Sequence, residues 1–479
     1  MVARDKRSFT DANMSALSLE RKEFECLHQL YNHVLSSKCC SYKLLSILGE
    51  GRFGIVAECL NLNTSDCVAV KLLKRCNIYN YNQEVQALQK IRFLDKHRNS
   101  LVRFIEHFIF QDFPCLVFEM LDKSLEDLMT ERNMTPLNLH QIRPVTLQLL
   151  MAFEALQALG IIHTDLKPDN VMLVDHKHVP FRVKLIDFGL AHPITSVHAG
   201  MTLQAEAYRA PEVTLGLPLS EAIDMWSLGC TIAYLFFGFD LFDCSSLRNS
   251  MGTICQLFGQ PGDHLLNMAK YTSDYFMLDA DHRWTVISAG IEPAMSRFNL
   301  ETGSTFEDLA LGFLQTTSTV EYDDWMKCVC LLKCLLSVEA TSRATPRQAL
   351  NHSFLTMAHL MDNCPYKEAT LNCMMVAPID DYVTVKGRDE GYGEEEPDCV
   401  EELYGEEEPG EVVNLDIGSD AGWLMDADDL VVLGGDEDIG VVEEPPGVLV
   451  LDVEVDLCKV VDLCGMENSC GFVNLADLF

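Results

Sequence analysis

A chain of 479 residues with 48% hydrophobic content is long enough for one large two-lobed domain with extensions, or for several smaller domains. Its formal net charge of −36 is concentrated at one end, because residues 389–479 hold 28 acidic side chains against one basic one. Such a segment repels nucleic acid and anionic membranes, which excludes direct binding of either by that part of the chain.

The opening residues, "MVARDKRSFTDANMS", contain no apolar run that could serve as a signal-peptide core. No stretch of about 18 apolar residues occurs anywhere, so an intracellular protein is expected. The 19 cysteines show no repeated CxxC spacing and read as small core or surface residues rather than disulfides or zinc ligands.

Composition and periodicity divide the chain into an N-terminal extension (1–41), a folded zone (42–360), a linker (361–387) and an acidic tail (388–479). The folded zone opens with strand-like runs, "SYKLLSILGEGRFGIVAECLN" and "CVAVKLLK". Helix-period segments such as "IRPVTLQLLMAFEALQALG" follow. This order predicts an α+β architecture of two lobes, a small β-rich one at about 42–120 and a larger helical one at about 121–360.

Gly49, Gly51 and Gly54 in "GEGRFGIV" match a GxGxxG spacing that dinucleotide sites also use. A dinucleotide site requires a helix directly after the glycines, whereas Ile55, Val56 and "CVAVK" continue as strand. The stretch therefore fits a hairpin whose backbone covers ATP phosphates, an ordinary turn being the plainer reading. Lys71 closes the strand-like "VAVK", where its charge can reach the α- and β-phosphates. Between it and Asp95 the single acidic residue is Glu84, and Val85, Leu88 and Ile91 follow at helical spacing. A helix there would bring Glu84 to Lys71, and a solvated surface glutamate is the alternative.

The most specific string is "IIHTDLKPDNVML". Asp165 can accept or orient the proton of an attacking hydroxyl, Lys167 can neutralise a transferring phosphoryl group, and Asn170 can hold magnesium. Asp187 follows in "KLIDFGLAH" as a second metal ligand after an apolar strand, and "YRAPE" (Tyr208 to Glu212) comes next. This order points to a protein kinase fold using ATP and Mg2+. Asp224 in "AIDMWSLGC" reads as a buried carboxylate holding the catalytic-loop backbone, and Arg343 as the partner of Glu212.

Longer strings carry a resemblance: "CLVFEML", "GIIHTDLKPDNVMLVD", "YRAPEVTLGLPLSEAIDMWSLGCTIAYLFFG" and "NHSFLTMAHLMD". Across about Tyr42 to Pro378 the chain resembles the homeodomain-interacting protein kinases, a nuclear serine/threonine branch of the group that contains the cyclin-dependent and dual-specificity tyrosine-regulated kinases. The resemblance implies Phe118 as gatekeeper, and Glu119 and Leu121 as backbone contacts for adenine. Leu48, Val56 and Ala69 are implied to line the same nucleotide site. It also implies serine and threonine residues of proteins as acceptors, and residence in the nucleus.

In that family a small residue already replaces the arginine of His-Arg-Asp, so Thr164 fits it. The family compensates with an autophosphorylated tyrosine. Here "GMTLQAEAYR" places Thr202 at that position, Glu206 at an arginine position and Ala207 at a tyrosine position. Both halves of a phosphate switch are altered, so the segment is expected either to be held by packing alone or seldom to adopt its working form. Loss of positive charge at Glu206 also weighs against a proline-directed enzyme. An ATP-binding pseudokinase that competes with longer relatives is the alternative function.

In the tail, "LVVL" (Leu430 to Leu433) lies between Asp428–Asp429 and Asp436–Asp438. It resembles a motif that binds the small ubiquitin-like modifier by adding a strand to a sheet edge. A disordered, solvated spacer is the default expectation for the rest, and an activation segment or autoinhibitory arm are further alternatives. Oligomeric state is not legible in the sequence.

Overall fold

The computed structural model describes residues 33–375, apart from 52, 76–77, 95–98, 243–245, 288–304, 315–317 and 363. Most of the N-terminal extension, the acidic tail and the "LVVL" motif lie outside the described residues. Among the described residues no helix is long and apolar enough to cross a membrane.

Six antiparallel strands form the small lobe: β1 (Val34–Ser36), β2 (Ser41–Gly51), β3 (Gly54–Asn61), β4 (Cys67–Leu73), β5 (Phe104–Phe110) and β6 (Phe113–Glu119), in the order β1-β2-β3-β4-β6-β5. Alternation decides which face is core. Ile55, Ala57 and Cys59 of β3, Val68 and Val70 of β4, and Tyr42 and Leu44 of β2 are buried on one side. The alternate positions Val56, Ala69 and Lys71 are only partly covered, on the opposite face. Glycine is required at Gly54, where a Cβ would lie 2.0 Å from the Leu72 carbonyl oxygen across the β3–β4 pair.

The sheet starts ahead of residue 42. Val34–Ser36 pairs with Lys43–Ser41 and buries Leu35 completely. Helix α1 (Ile78–Ile91) links β4 to β5 and buries Val85, Leu88 and Ile91, the stripe read from the sequence.

The larger lobe is built on helices. Capping boxes set two starts: Ser124 with Asp127 for α2 (Leu125–Glu131), and Asn138 with Gln141 for α3 (Leu139–Ala158). In α4 (Ala222–Phe237) every residue from Ile223 to Phe237 is buried, with Trp226 fully enclosed. Truncating such an aromatic costs about 3–5 kcal/mol. Helix α5 (Thr319–Leu335) supplies Asp324, which is completely buried and takes hydrogen bonds or ion pairs from Arg143, from His359 Nε2 (2.9 Å) and from Tyr366 (2.9 Å).

Tyr366 belongs to α6 (Pro365–Met375), whose Thr370 also bonds His140 on α3 at 2.7 Å. Packing therefore continues beyond residue 360. The short pairs β7 (Ile161–Ile162) with β10 (His192–Pro193), and β8 (Val171–Asp175) with β9 (Val179–Leu185), frame the loops of the site.

Candidate active site

Strands β2 and β3 close on each other at the pair Gly51↔Gly54. A Cβ at Gly49 or Gly51 would meet nothing within 4 Å, so their backbone is open to an approaching ligand. Gly54 differs, since its need for glycine comes from the neighbouring strand. Lys71 leaves β4 toward α1, and its Nζ lies 2.7 Å from Glu84 Oε1 and 2.8 Å from Asp187 Oδ1. One ammonium thus bridges the sheet, the helix and the turn carrying Asp187.

Burial opposes charge on Lys71, but the Asp187 and Glu84 carboxylates more than offset it and raise its pKa. Burial also works against ionised Asp187. The Lys71 ammonium, with the Gly189 N–H, outweighs it and lowers the carboxyl to about 2. Burial raises the Glu84 pKa even beside Lys71, so that ion pair depends on the lysine staying in place. Asp187 has φ +60°, a left-handed conformation that turns its carboxylate back toward Lys71.

The catalytic-loop residues converge on Asp165. Asn170 Nδ2 donates to the Asp165 backbone oxygen at 2.7 Å and to Oδ2 at 2.9 Å, and Lys167 Nζ sits 3.2 Å from Oδ2. Among the described residues the other oxygen, Oδ1, has a single partner, Lys167 Nζ at 3.5 Å. Below it the Asp165 N–H donates to His163 Nδ1 at 3.3 Å, so the ring proton is on Nε2, which donates to the Ile186 carbonyl at 2.9 Å. The His163 ring meets Phe188 edge-on at 5.1 Å.

Asp224 accepts from the His163 N–H at 2.7 Å and the Thr164 N–H at 2.9 Å, the role expected of it. Burial is the largest influence on it and raises its pKa to about 6.

The donors present suit magnesium. Asn170 commits its amide nitrogen to Asp165, and Asp187 commits Oδ1 to Lys71 and Gly189. Asn170 Oδ1 and Asp187 Oδ2 remain as hard oxygen donors, the type this cation prefers.

On the nucleotide side, Leu48 is exposed at the edge of β2, while Val56, Ala69 and Phe118 are half-buried and Leu121 is buried. Phe118 pairs with Ala69 across β4–β6 and packs on Phe104 at 5.8 Å. The Glu119 side chain is occupied by Lys184 Nζ and the Arg103 N–H, both at 2.6 Å. Two further half-buried apolar residues close to the catalytic loop were not singled out in the sequence. Met172 lies between the buried Val171 and Leu173 and so takes the opposite face of β8, and half-buried Ile186 directly precedes Asp187.

The activation segment is held by neutral contacts near its start and middle and by arginines toward its end. The Thr164 hydroxyl donates to the Leu190 carbonyl at 2.5 Å, and Gln83 of α1 donates to the Ala191 carbonyl at 2.7 Å. Buried Gln204 donates to the Ile223 carbonyl and Ser227 hydroxyl, both at 2.8 Å, and accepts from the Ala210 N–H at 3.0 Å. Arg209 donates to the Leu203 and Gln204 carbonyls at 2.9 Å. Thr202 and Glu206 are exposed. Glu212 meets Arg343 through two hydrogen bonds of 2.6 and 2.9 Å, as the sequence suggested. Gln83 and Gln204 carried no sequence signal, since each acts through backbone groups distant in the chain.

The protein kinase domain family matches residues 42–355. Homeodomain-interacting protein kinase 1 of Mus musculus is 37% identical over 362 residues, covering 72% of this chain and 30% of the relative. Homeodomain-interacting protein kinase 2 of Mus musculus is 38% identical over 351 residues, covering 70% and 29% respectively. Homeodomain-interacting protein kinase 4 of Homo sapiens is 35% identical over 349 residues, covering 68% and 57%. The chain therefore spans between 29% and 57% of the length of these curated relatives. It belongs to the protein kinase family, with a kinase domain of the homeodomain-interacting type.

Proposed function

We propose that this chain transfers the γ-phosphoryl group of ATP to serine and threonine hydroxyls of protein substrates. The observation that carries the reading is the assembled line Glu84–Lys71–Asp187, standing beside an Asp165 whose Oδ1 is met, among the described residues, by Lys167 alone at 3.5 Å. Phosphoryl transfer asks a protein mostly for positioning and charge compensation, and these residues supply both.

In this mechanism Gly49 and Gly51 let the β2–β3 backbone lie over the phosphates, with Gly54 fixing the hairpin. Lys71, held by Glu84, directs its charge at the α- and β-phosphates. Leu48, Val56, Ala69 and Met172 enclose the adenine ring, Phe118 closes the back of the pocket, and the Glu119 and Leu121 backbones bond the ring edge. The substrate hydroxyl donates to Asp165 Oδ1, which takes its proton as the oxygen attacks phosphorus. Lys167 offsets charge on the moving phosphoryl group. Asn170 and Asp187 would hold a magnesium ion, which when bound would add neutralisation of the phosphate oxygens.

The neutral ties from Thr164, Gln83 and Gln204 support a segment held by packing rather than by phosphate. That favours an active enzyme over a pseudokinase decoy. Glu206 stands where the resembled family carries a positive charge that favours proline after the acceptor, which weighs against a proline-directed enzyme. A nuclear location and contact of Leu430 to Leu433 with the small ubiquitin-like modifier complete the proposal. The second has its own test, titration of the isolated tail peptide with the modifier, and no binding there removes it.

The test of the main reading is transfer from labelled ATP to a basic protein substrate by the full chain with magnesium. Lys71→Ala and Asp165→Asn run as controls. Transfer abolished by both substitutions is expected, the second by roughly 10²–10⁴-fold for loss of a proton acceptor. ATP binding without transfer by the unaltered chain would establish the decoy instead.

A further inference from the structure

Helix α5 carries Cys330 and Cys334 one turn apart, so both thiols leave the same helical face. A third donor comes from another element. His352 is the N-cap residue of the short helix Ser353–Thr356, which packs against α5. The two sulfurs and a ring nitrogen of His352 all lie within 4.8 Å of one another. All three residues are half-buried, which leaves the cluster reachable from solvent. The expectation that no cysteine serves as a metal ligand rested on linear spacing, and linear spacing does not register a donor from a separate helix.

We propose that Cys330, Cys334 and His352 form a binding site for a thiophilic divalent cation of the zinc class, with the fourth position left to water. Two thiolates and one imidazole are a donor set that zinc takes in tetrahedral geometry, and one that magnesium and calcium avoid. Bonds of about 2.3 Å to sulfur and about 2.0 Å to nitrogen put such ligands about 3.5–3.8 Å apart. Closing from within 4.8 Å is a matter of side-chain rotation.

His352 Nδ1 accepts the Phe354 N–H at 3.2 Å, leaving Nε2 as the nitrogen without a backbone partner. Ligation through Nε2 moves the ring proton to Nδ1 and gives up this cap. The loss is small beside the binding energy of a structural zinc. Each thiol releases its proton to solvent on ligation, so binding weakens as pH falls. The site would pin α5 to the segment that caps the next helix, on residues separate from those proposed for phosphoryl transfer.

The test is cobalt(II) titration of the full, reduced and chelator-stripped chain under anaerobic conditions. Because the chain has 19 cysteines, the readout is the difference between wild type and Cys330→Ser, Cys334→Ser or His352→Ala. The expected wild-type result is thiolate-to-cobalt charge-transfer absorption that zinc bleaches. Each variant should lose one equivalent of bound cobalt, and zinc should raise the melting temperature of wild type only. Circular dichroism separates lost ligands from lost fold. His352→Asn keeps a capping group while removing the ring, and serves if the alanine variant unfolds. Cobalt binding unchanged by the substitutions, or absent in wild type, overturns the proposal. A Cys330–Cys334 disulfide that persists in reductant overturns it too.

Discussion

The Thr164 hydroxyl reaches the Leu190 carbonyl at 2.5 Å, so an uncharged side chain ties the catalytic loop to the start of the activation segment. An arginine at this position would project toward a distant phosphate. Threonine reaches only the nearest backbone, and it does so from φ +64°, a conformation costly for a β-branched residue. The surroundings hold it there, chiefly Asp224 on its N–H.

Thr164→Val keeps the shape and the backbone cost while deleting the bond. It should lower stability by about 1–2 kcal/mol and reduce kcat, with KM for ATP little changed because Lys71 and Glu84 are untouched. Thr164→Ser should retain most of both. Urea melts and steady-state kinetics check this, and a valine variant indistinguishable from wild type would refute the tie.

Gln204 and Thr202 separate packing from phosphate as the device that holds the segment. Gln204→Ala leaves the buried Ala210 N–H without its acceptor and removes the ties to the Ile223 carbonyl and the Ser227 hydroxyl, at a cost of about 1–3 kcal/mol, and should sharply reduce activity. Thr202→Ala changes an exposed side chain, and should leave stability within about 0.5 kcal/mol and the rate near wild type. A Thr202 variant that loses activity, with phosphate found on Thr202 by mass spectrometry, would reverse this order.

Arg343→Ala strands a nearly buried Glu212 carboxylate and removes the guanidinium that lies 5.2 Å over Trp226. The expected destabilisation is about 3–5 kcal/mol, measured by chemical denaturation. Because the pair anchors the end of the activation segment, activity should fall before the global unfolding transition.

Asp224 gives a pH signature. Its folded pKa is raised from the ordinary 3.8 to about 6, chiefly by burial, so its contribution to stability is complete below about pH 4 and is lost as pH rises through 6. Asn at this position does not titrate. The stability penalty of Asp224→Asn should therefore shrink between pH 4 and 7, by roughly 2–3 kcal/mol. Denaturation midpoints of both proteins at matched pH values test it, and a penalty that grows with pH would contradict the sign.

Much of the site was legible because its chemistry sits in contiguous strings: the glycines beside strand residues, Lys71 at a strand end, Asp165 and Asn170 within one turn of chain. Glu84 could be placed because Val85, Leu88 and Ile91 fixed the helical phase around it. What escaped the reading depends on contacts across the chain. Val34–Ser36 is too short to show a period, yet it completes the sheet by burying Leu35. The stretch assigned to a linker holds a helix because Tyr366 and Thr370 find Asp324 and His140. Thr164 could be read as the small residue that replaces an arginine, but not as a tie, since its acceptor is a backbone carbonyl 26 residues away.

The shared ammonium of Lys71 has a pharmacological consequence. A compound that favours α1 swung outward must do work against the Glu84 contact, and one that favours the turn at Asp187 rotated away must do work against the other. Linkage makes these effects reciprocal. Inhibitor potency on this chain should then shift with substitutions at Gln83, a residue such a compound need not touch, because its bond to Ala191 helps set how often each arrangement is visited.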